Sequence, residues 1–166
     1  MEQVRIASLA LDPRTDQPVI VLKPLTEIPG HGRLLPIWIG HPEATAILLA
    51  LEGVETPRPM THDLLSSVIE TLGTMVEKVE ITRVEGGTFY AAIFLRGEEK
   101  TLVVDARPSD SIALAIRSRA PIFVSSEVLE NAAVPDESIE GLDEESEVEA
   151  FRSFLDRVNP DDFQSQ

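Results

Sequence analysis

The chain of 166 residues contains no cysteine, which excludes disulfide bonds and zinc–thiolate sites. Aromatic residues make up 5% of it, and no basic stretch carries the interleaved aromatics that stack on nucleic-acid bases. No run of about 18 apolar residues could cross a membrane, and residues 1–5 lack a signal-peptide pattern. No phosphate-binding glycine loop is present. We therefore expect a cytoplasmic protein with no membrane partner and no organic cofactor.

Basic residues are scarce as well. Fourteen Lys and Arg stand against 29 Asp and Glu, a net charge of −15, of which residues 127–166 carry −11 and residues 1–126 carry −4. Because affinity for nucleic acid rests largely on Lys and Arg neutralising phosphates, the chain has no global attraction for it. Phosphate binding would need a local patch, built from Arg58, Arg107, Arg117 and Arg119, or a divalent metal held by carboxylates.

Hydrophobic periodicity predicts an α+β fold. An N-terminal hairpin, a third strand, two helices, a three-stranded antiparallel meander over residues 76–106 and a further helix and strand follow in order. We expect a single compact domain, with short helices packed on a mixed, largely antiparallel sheet. The predicted boundaries are a core domain over 1–133, an acidic linker over 134–149 and a C-terminal helix or tail over 150–166.

The most informative stretch is 105–124, which reads as a strand, a polar turn, a short helix and a second strand. It gathers Asp105, Arg107, Asp110 and Arg117 near one helix, with Ser109 as the expected N-cap. A charged cluster at a strand-to-helix junction is a usual place for chemistry, because free backbone N–H groups there bind anions. The alternative is structural, with Asp110 as a helix cap and Asp105 and Arg107 as an ion pair.

A second polar cluster lies at another helix start. Thr61 is the expected N-cap, with His62 and Asp63 in the first turn. His62 and Asp63 could form an acid–base or metal-binding pair, or His62 could form only local hydrogen bonds. The apolar face of this helix is expected to comprise Leu64, Leu65, Val68, Ile69 and Leu72.

Several motifs together resemble the bifunctional nuclease (BFN) domain family, in the expected order from about residue 4 to residue 133. They are LPIWIG at 35–40, EA at 43–44, RPMTHDLL at 58–65, TFYA at 88–91 and DARPSDSIALA at 105–115. Residues 151–163 are similar to the C-terminal extension of actinobacterial members. The resemblance implies a compact α+β domain and a nuclease acting on both RNA and DNA.

The candidate site follows from these motif positions. The candidate catalytic residues are His62, Asp63, Asp105, Arg107 and Asp110. Arg58 and Arg117 are candidate phosphate ligands, and Asp105 and Asp110 are candidate ligands for Mg²⁺ or Mn²⁺, which prefer oxygen donors.

The alternative to the nuclease is a non-catalytic, dimeric binding or regulatory module, in which the Asp and Arg motifs are structural ion pairs. Convergence of Asp63, Asp105 and Asp110 in an open cleft would favour the enzyme. Their burial against Arg107 or Arg117 would favour the module. A homodimer is expected in either case, because an exposed apolar strand edge invites pairing.

Overall fold

A computed structural model describes residues 1–28 and 30–136 of the chain. These residues form an α+β domain with four helices and eight strands. The strands are β1 (Glu2–Leu11), β2 (Pro18–Pro24), β3 (Arg33–Trp38), β4 (Met75–Glu85), β5 (Thr88–Arg96), β6 (Thr101–Ala106), β7 (Ile122–Val124) and β8 (Val134–Pro135). The helices are α1 (His41–Leu51), α2 (Thr61–Thr71), α3 (Pro108–Ser118) and α4 (Ser126–Ala132).

The strands form one mixed sheet in the order β6-β5-β4-β7-β1-β2-β3-β8. The predicted hairpin is β1–β2, and the predicted meander is β4–β5–β6; both are antiparallel. The parallel pair is β4–β7, and it joins the meander to the N-terminal strands. Because α3 connects β6 to β7 across the meander, it must lie against the sheet.

Helix α3 is the most deeply packed helix of the described chain. Its inner face is made largely of small residues, and Ile112, Ala113 and Leu114 are fully buried. Small side chains allow α3 to approach α1, where Ala44 and Ile47 are also fully buried. The helix packs on α2, β4 and β5 as well, so four neighbouring elements fix its position.

The structure corrects the expected packing of α2. Of its predicted apolar face, Ile69 is buried, whereas Leu64, Leu65, Val68 and Leu72 are exposed. The helix contacts the rest of the domain through the stripe that contains His62 and Ile69, seven residues apart and therefore on one face. It lies at the margin of the helical layer, where a narrow stripe suffices.

Two expected N-caps are also corrected. Helix α2 begins after Met60, not Thr61, and α3 begins after Arg107, with Pro108 as its first residue instead of Ser109 as its cap. Proline is favoured there because the first helical N–H has no intrahelical partner.

The fold continues to the end of the described residues. Strand β8 pairs with β3, and the buried Lys23 ammonium bonds to Asp136 and to the His31 carbonyl. Strand β8 and Asp136 lie just beyond residue 133, in the first part of the predicted linker. The rest of that linker and the predicted tail over 150–166 lie outside the described residues.

In the described part of the chain, no helix combines the length and the apolar character needed to cross a membrane.

Candidate functional site

The first part of the site is an arginine–carboxylate cluster at the start of α3. Arg107 donates from Nε to one oxygen of Asp110, at 2.7 Å, and from Nη2 to the other, at 3.1 Å. The same Nη2 lies 2.8 Å from Glu43, in the first turn of α1. Arg107 remains 64% exposed, and its Nη1 donates to no described residue. Three carboxylate contacts therefore orient this arginine while one end of it stays open.

Asp110 also holds the histidine of the second motif. His62 Nε2 lies 3.0 Å from Asp110 Oδ1, across 48 residues of sequence. The imidazole is largely buried, with about a tenth of the side chain exposed. Since Nε2 is used by Asp110, and no described residue bonds to Nδ1, that nitrogen is left to accept or donate a proton.

Asp63 lies beside this cluster in a second ion pair. Its Oδ1 accepts from Arg117 Nε at 2.5 Å, and its other oxygen accepts from the Met60 backbone N–H at 2.9 Å. Arg117 is nearly buried and also donates to the carbonyls of Ala46 and Ala113. These contacts connect the start of α2 with α1 and the end of α3.

Both carboxylates are stabilised in their charged form. Burial opposes ionisation of Asp110, but hydrogen bonds from Arg107 and His62 outweigh it and lower the pKa of this carboxyl. Burial likewise opposes ionisation of Asp63, and the bonds from Arg117 and Met60 lower its pKa. The hydrogen bonds to Asp110 in turn raise the pKa of Arg107. Asp63, Asp110 and Arg107 are therefore all charged at neutral pH.

Five of the predicted site residues thus lie in one connected region: His62, Asp63, Arg107, Asp110 and Arg117. The local pairs considered from the sequence do not form. His62 bonds to Asp110 and not to its neighbour Asp63, and Arg107 bonds to Asp110 and Glu43 and not to Asp105. Arg58 lies exposed in the loop before α2, where its carbonyl accepts from Thr56.

Asp105 lies on the other side of the sheet. It pairs with Ala92, whereas Val104 pairs with the buried Ile93 of the main core. Successive strand residues point to opposite faces, so Asp105 points away from the face on which α3 packs.

The two candidate metal ligands, Asp105 and Asp110, are therefore not brought together. Both oxygens of Asp110 are also engaged by Arg107 and His62. Among the residues with described positions, no group of three or more His, Asp or Glu side chains is placed to hold a metal ion. The expected pair does not fit a magnesium or manganese site.

Glu43 is the contact that the sequence analysis missed. It belongs to the EA motif at residues 43–44, but nothing in the sequence placed it in the site. The available signal was its position in the first turn of a helix, where an acidic residue faces a positive helix end. That position predicts a cap and gives no indication of Arg107.

This geometry defines a class: an α+β domain in which two helix starts bring a His–Asp–Arg cluster together on one face of a mixed sheet. The family model of the bifunctional nuclease domain matches residues 20–137, a span that contains every residue of the cluster. The chain belongs to the bifunctional nuclease domain family.

Curated relatives agree with this assignment. An uncharacterized protein of Mycobacterium tuberculosis is 44% identical over 170 residues, covering 99% of both chains. Bifunctional nuclease 1 of Oryza sativa subsp. indica is 31% identical over 61% of this chain, and bifunctional nuclease 1 of Arabidopsis thaliana is 30% identical over 65%. The matches cover only 32% and 33% of these two plant proteins.

Proposed function

We propose that this protein is a nuclease that hydrolyses phosphodiester bonds of RNA and DNA. Its proposed active-site residues are His62, Asp110 and Arg107. The observation that carries the proposal is the His62–Asp110 bond beside an exposed, oriented Arg107. Membership of the family and the printed names of the plant relatives support the class of substrate.

The geometry suggests a separate catalytic role for each of the three residues. DNA has no 2′-hydroxyl, so an enzyme that cleaves DNA as well as RNA cannot rely on that group as the nucleophile, and we take water as the nucleophile here. His62 Nδ1 would take a proton from that water as its oxygen bonds to phosphorus. The leaving oxygen lies on the opposite side of phosphorus in an in-line displacement, so it would take its proton from solvent as the P–O bond breaks, and the imidazolium would release its own proton to solvent. Asp110 would stabilise the imidazolium, and the open Nη1 of Arg107 would bind a non-bridging phosphate oxygen.

A second candidate function is the non-catalytic binding or regulatory module. It is favoured by one observation: Asp63 and Asp110 are both paired with arginines. By the criterion set from the sequence, this pairing favours structural ion pairs over a carboxylate metal site. It does not remove the proton-transfer group, because His62 Nδ1 keeps no described partner.

The test compares cleavage of single-stranded RNA and DNA by purified wild-type protein and by His62→Gln and Arg107→Ala. We expect His62→Gln to lower the rate by about 10²–10⁴-fold and Arg107→Ala by about 10²–10³-fold. Arg14→Ala, which removes an arginine that is 85% exposed in the β1–β2 turn, should cleave like wild type. Equal cleavage by His62→Gln and wild type would contradict the proposal, and no cleavage by wild type would favour the module.

The metal requirement is decided in the same assay by adding Mg²⁺, Mn²⁺ or EDTA. Asp105→Asn is the matched variant. If it abolishes metal-dependent cleavage as Asp110→Asn does, the original metal hypothesis is restored despite the separation of the two carboxylates.

A cytoplasmic site of action stays a prediction from the sequence.

We further propose that the protein works as a homodimer joined through β6. Among residues 1–28 and 30–136, this strand pairs only with β5, and its Leu102, Val103 and Val104 are exposed. A second copy supplies a strand of the same composition.

A further inference from the structure

A cavity of about 290 Å³ lies next to the His62–Asp110 cluster. It is open to solvent on one side and is lined by the end of α1, the loop that follows it, Asp63 of α2 and the end of α3. Its apolar wall includes Leu49, Val54 and Ile116, and its polar wall includes Thr56, Arg117 and Arg119. This volume is just below the lower limit of about 300 Å³ for small-molecule sites. It suits a single nucleotide unit.

The two arginines of this cavity differ in what they contact. Arg117 is held by Asp63 and two backbone carbonyls, so its charge is balanced. Arg119 ends α3 in the left-handed conformation, with φ of 53°, and its side chain is exposed. Within the described residues, Arg119 makes no side-chain hydrogen bond or ion pair. It therefore supplies an unneutralised cation at a partly apolar cavity.

The cavity and the His62 cluster share one face of α3. Asp110 and Arg117 are seven residues apart, which places them on the same side of the helix, about 10 Å apart along its axis. Arg117 and Arg119 both line the cavity, and Arg107 lies at the opposite end of α3. Glu43 and Asp110 balance Arg107, and Asp63 balances Arg117. In a chain with a net charge of −15, Arg119 is therefore, among the described residues of this region, the unneutralised cation that is available to a phosphate.

We propose that this cavity binds a nucleotide adjacent to the scissile phosphate, with Arg119 pairing to its phosphate group. The inference rests on the proposed function, because it places the neighbouring phosphate at Arg107 and His62. The described residues that line the cavity offer apolar contact and no aromatic ring to the base, so the cavity would hold a single strand with little preference for base identity.

The test separates binding from cleavage. Affinity for a fluorescent 12-nucleotide single strand, as RNA and as DNA, is measured by anisotropy in the His62→Gln background over a salt series. Arg119→Ala should weaken binding about five- to tenfold and reduce the salt slope by about one, and Arg119→Lys should recover most of the loss. Ala50→Phe, which fills the cavity at a lining position without changing charge, should weaken binding too. Arg14→Ala is the arginine control.

Each outcome bears on one proposal. If Arg119→Ala and Ala50→Phe leave affinity and salt slope unchanged, or if the 12-nucleotide strands do not bind, the cavity inference is wrong, whatever the cleavage assay shows. If wild-type and His62→Gln proteins cleave equally but Arg119→Ala weakens binding, the cavity is supported and the catalytic assignment fails. Circular dichroism of each variant confirms that it is folded.

Discussion

At the scale of the residue, Asp110 is the point at which the two halves of the site meet. Arg107, three residues before it, and His62, 48 residues before it, both bond to its carboxylate. The negative charge fixes the ring of His62 through Nε2 and the guanidinium of Arg107 through two donors. A neutral carboxyl would bind the His62 ring and the Arg107 guanidinium less strongly. The lowered pKa of Asp110 keeps the carboxylate charged and so helps to maintain both contacts.

The lowered pKa values of Asp63 and Asp110 predict how stability depends on pH. Because both folded-state pKa values lie below the ordinary value of 3.8, their contribution is fully present above about pH 4 and is lost as pH falls through the folded values. The Asp63→Asn/Asp110→Asn variant should be less stable than wild type by about 1–3 kcal/mol at pH 7. That difference should shrink towards pH 3.

Urea unfolding at pH 7, 4 and 3 measures this difference. Glu99→Gln, in the exposed turn between β5 and β6, should follow wild type at every pH. A gap between wild type and the double variant that stays constant from pH 7 to pH 3 would contradict the assignment.

The sequence suggested candidate residues that lie near one another in the fold, but it did not indicate their hydrogen-bond partners. Arg107 and Asp110 could be associated because both belong to one helix start. His62 and Asp63 are adjacent in sequence, but successive side chains on a helix diverge by about 100°. They therefore point to different partners, Asp110 and Arg117, which only the packing of α2 on α3 brings near. No local pattern encodes that crossing.

At the scale of the element, α3 does two tasks with one sequence. Its buried side supplies much of the core, and its polar side carries Asp110 and Arg117. Leu114→Ala should cost about 2–5 kcal/mol, because Leu114 is fully buried and its removal leaves a cavity in the core. Urea denaturation measures the loss.

The matched control for this prediction is Leu72→Ala, at the end of α2, where the side chain is 74% exposed. The same atoms are removed there without a cavity, so stability should change by no more than about 0.5 kcal/mol. Equal losses in the two variants would mean that burial in the described fold does not govern stability.

The same comparison shows where periodicity misleads. The strand pattern correctly predicted the meander, since turns and alternating residues are local. The apolar stripe of α2 predicted a core-facing helix, yet Leu64, Leu65 and Val68 are exposed. Periodicity reports that a face is apolar and does not specify what covers it.

At the scale of the whole molecule, the two edges of the sheet are very different. At one edge, β8 has only two residues and contains Pro135, which cannot donate a hydrogen bond. Short strands and proline are the usual protection against edge pairing. At the other edge, β6 is six residues long, pairs with β5 without a bulge, and has neither proline nor lysine.

The composition of β6 suits antiparallel pairing with a second copy. With Val103 opposite its own equivalent, Leu102 opposes Val104 and Thr101 opposes Asp105, so no like charges meet. The pairing would be symmetric and closed, as most homodimers are. It would also lie beside Arg107, which directly follows β6, so the proposed dimer contact and the candidate site would share one edge of the domain.

Val103→Lys therefore tests the dimer. Val103 is 60% exposed, so lysine there should leave the fold intact while placing two like charges opposite each other across the β6–β6 contact. Sedimentation velocity over a concentration series should show a dimer for wild type and a monomer for the variant. Ile28→Lys is the control. Ile28 is 65% exposed in the loop after β2, away from β6, so this variant should remain dimeric. A monomeric wild type, or a Val103→Lys protein that stays dimeric, would contradict pairing through this edge.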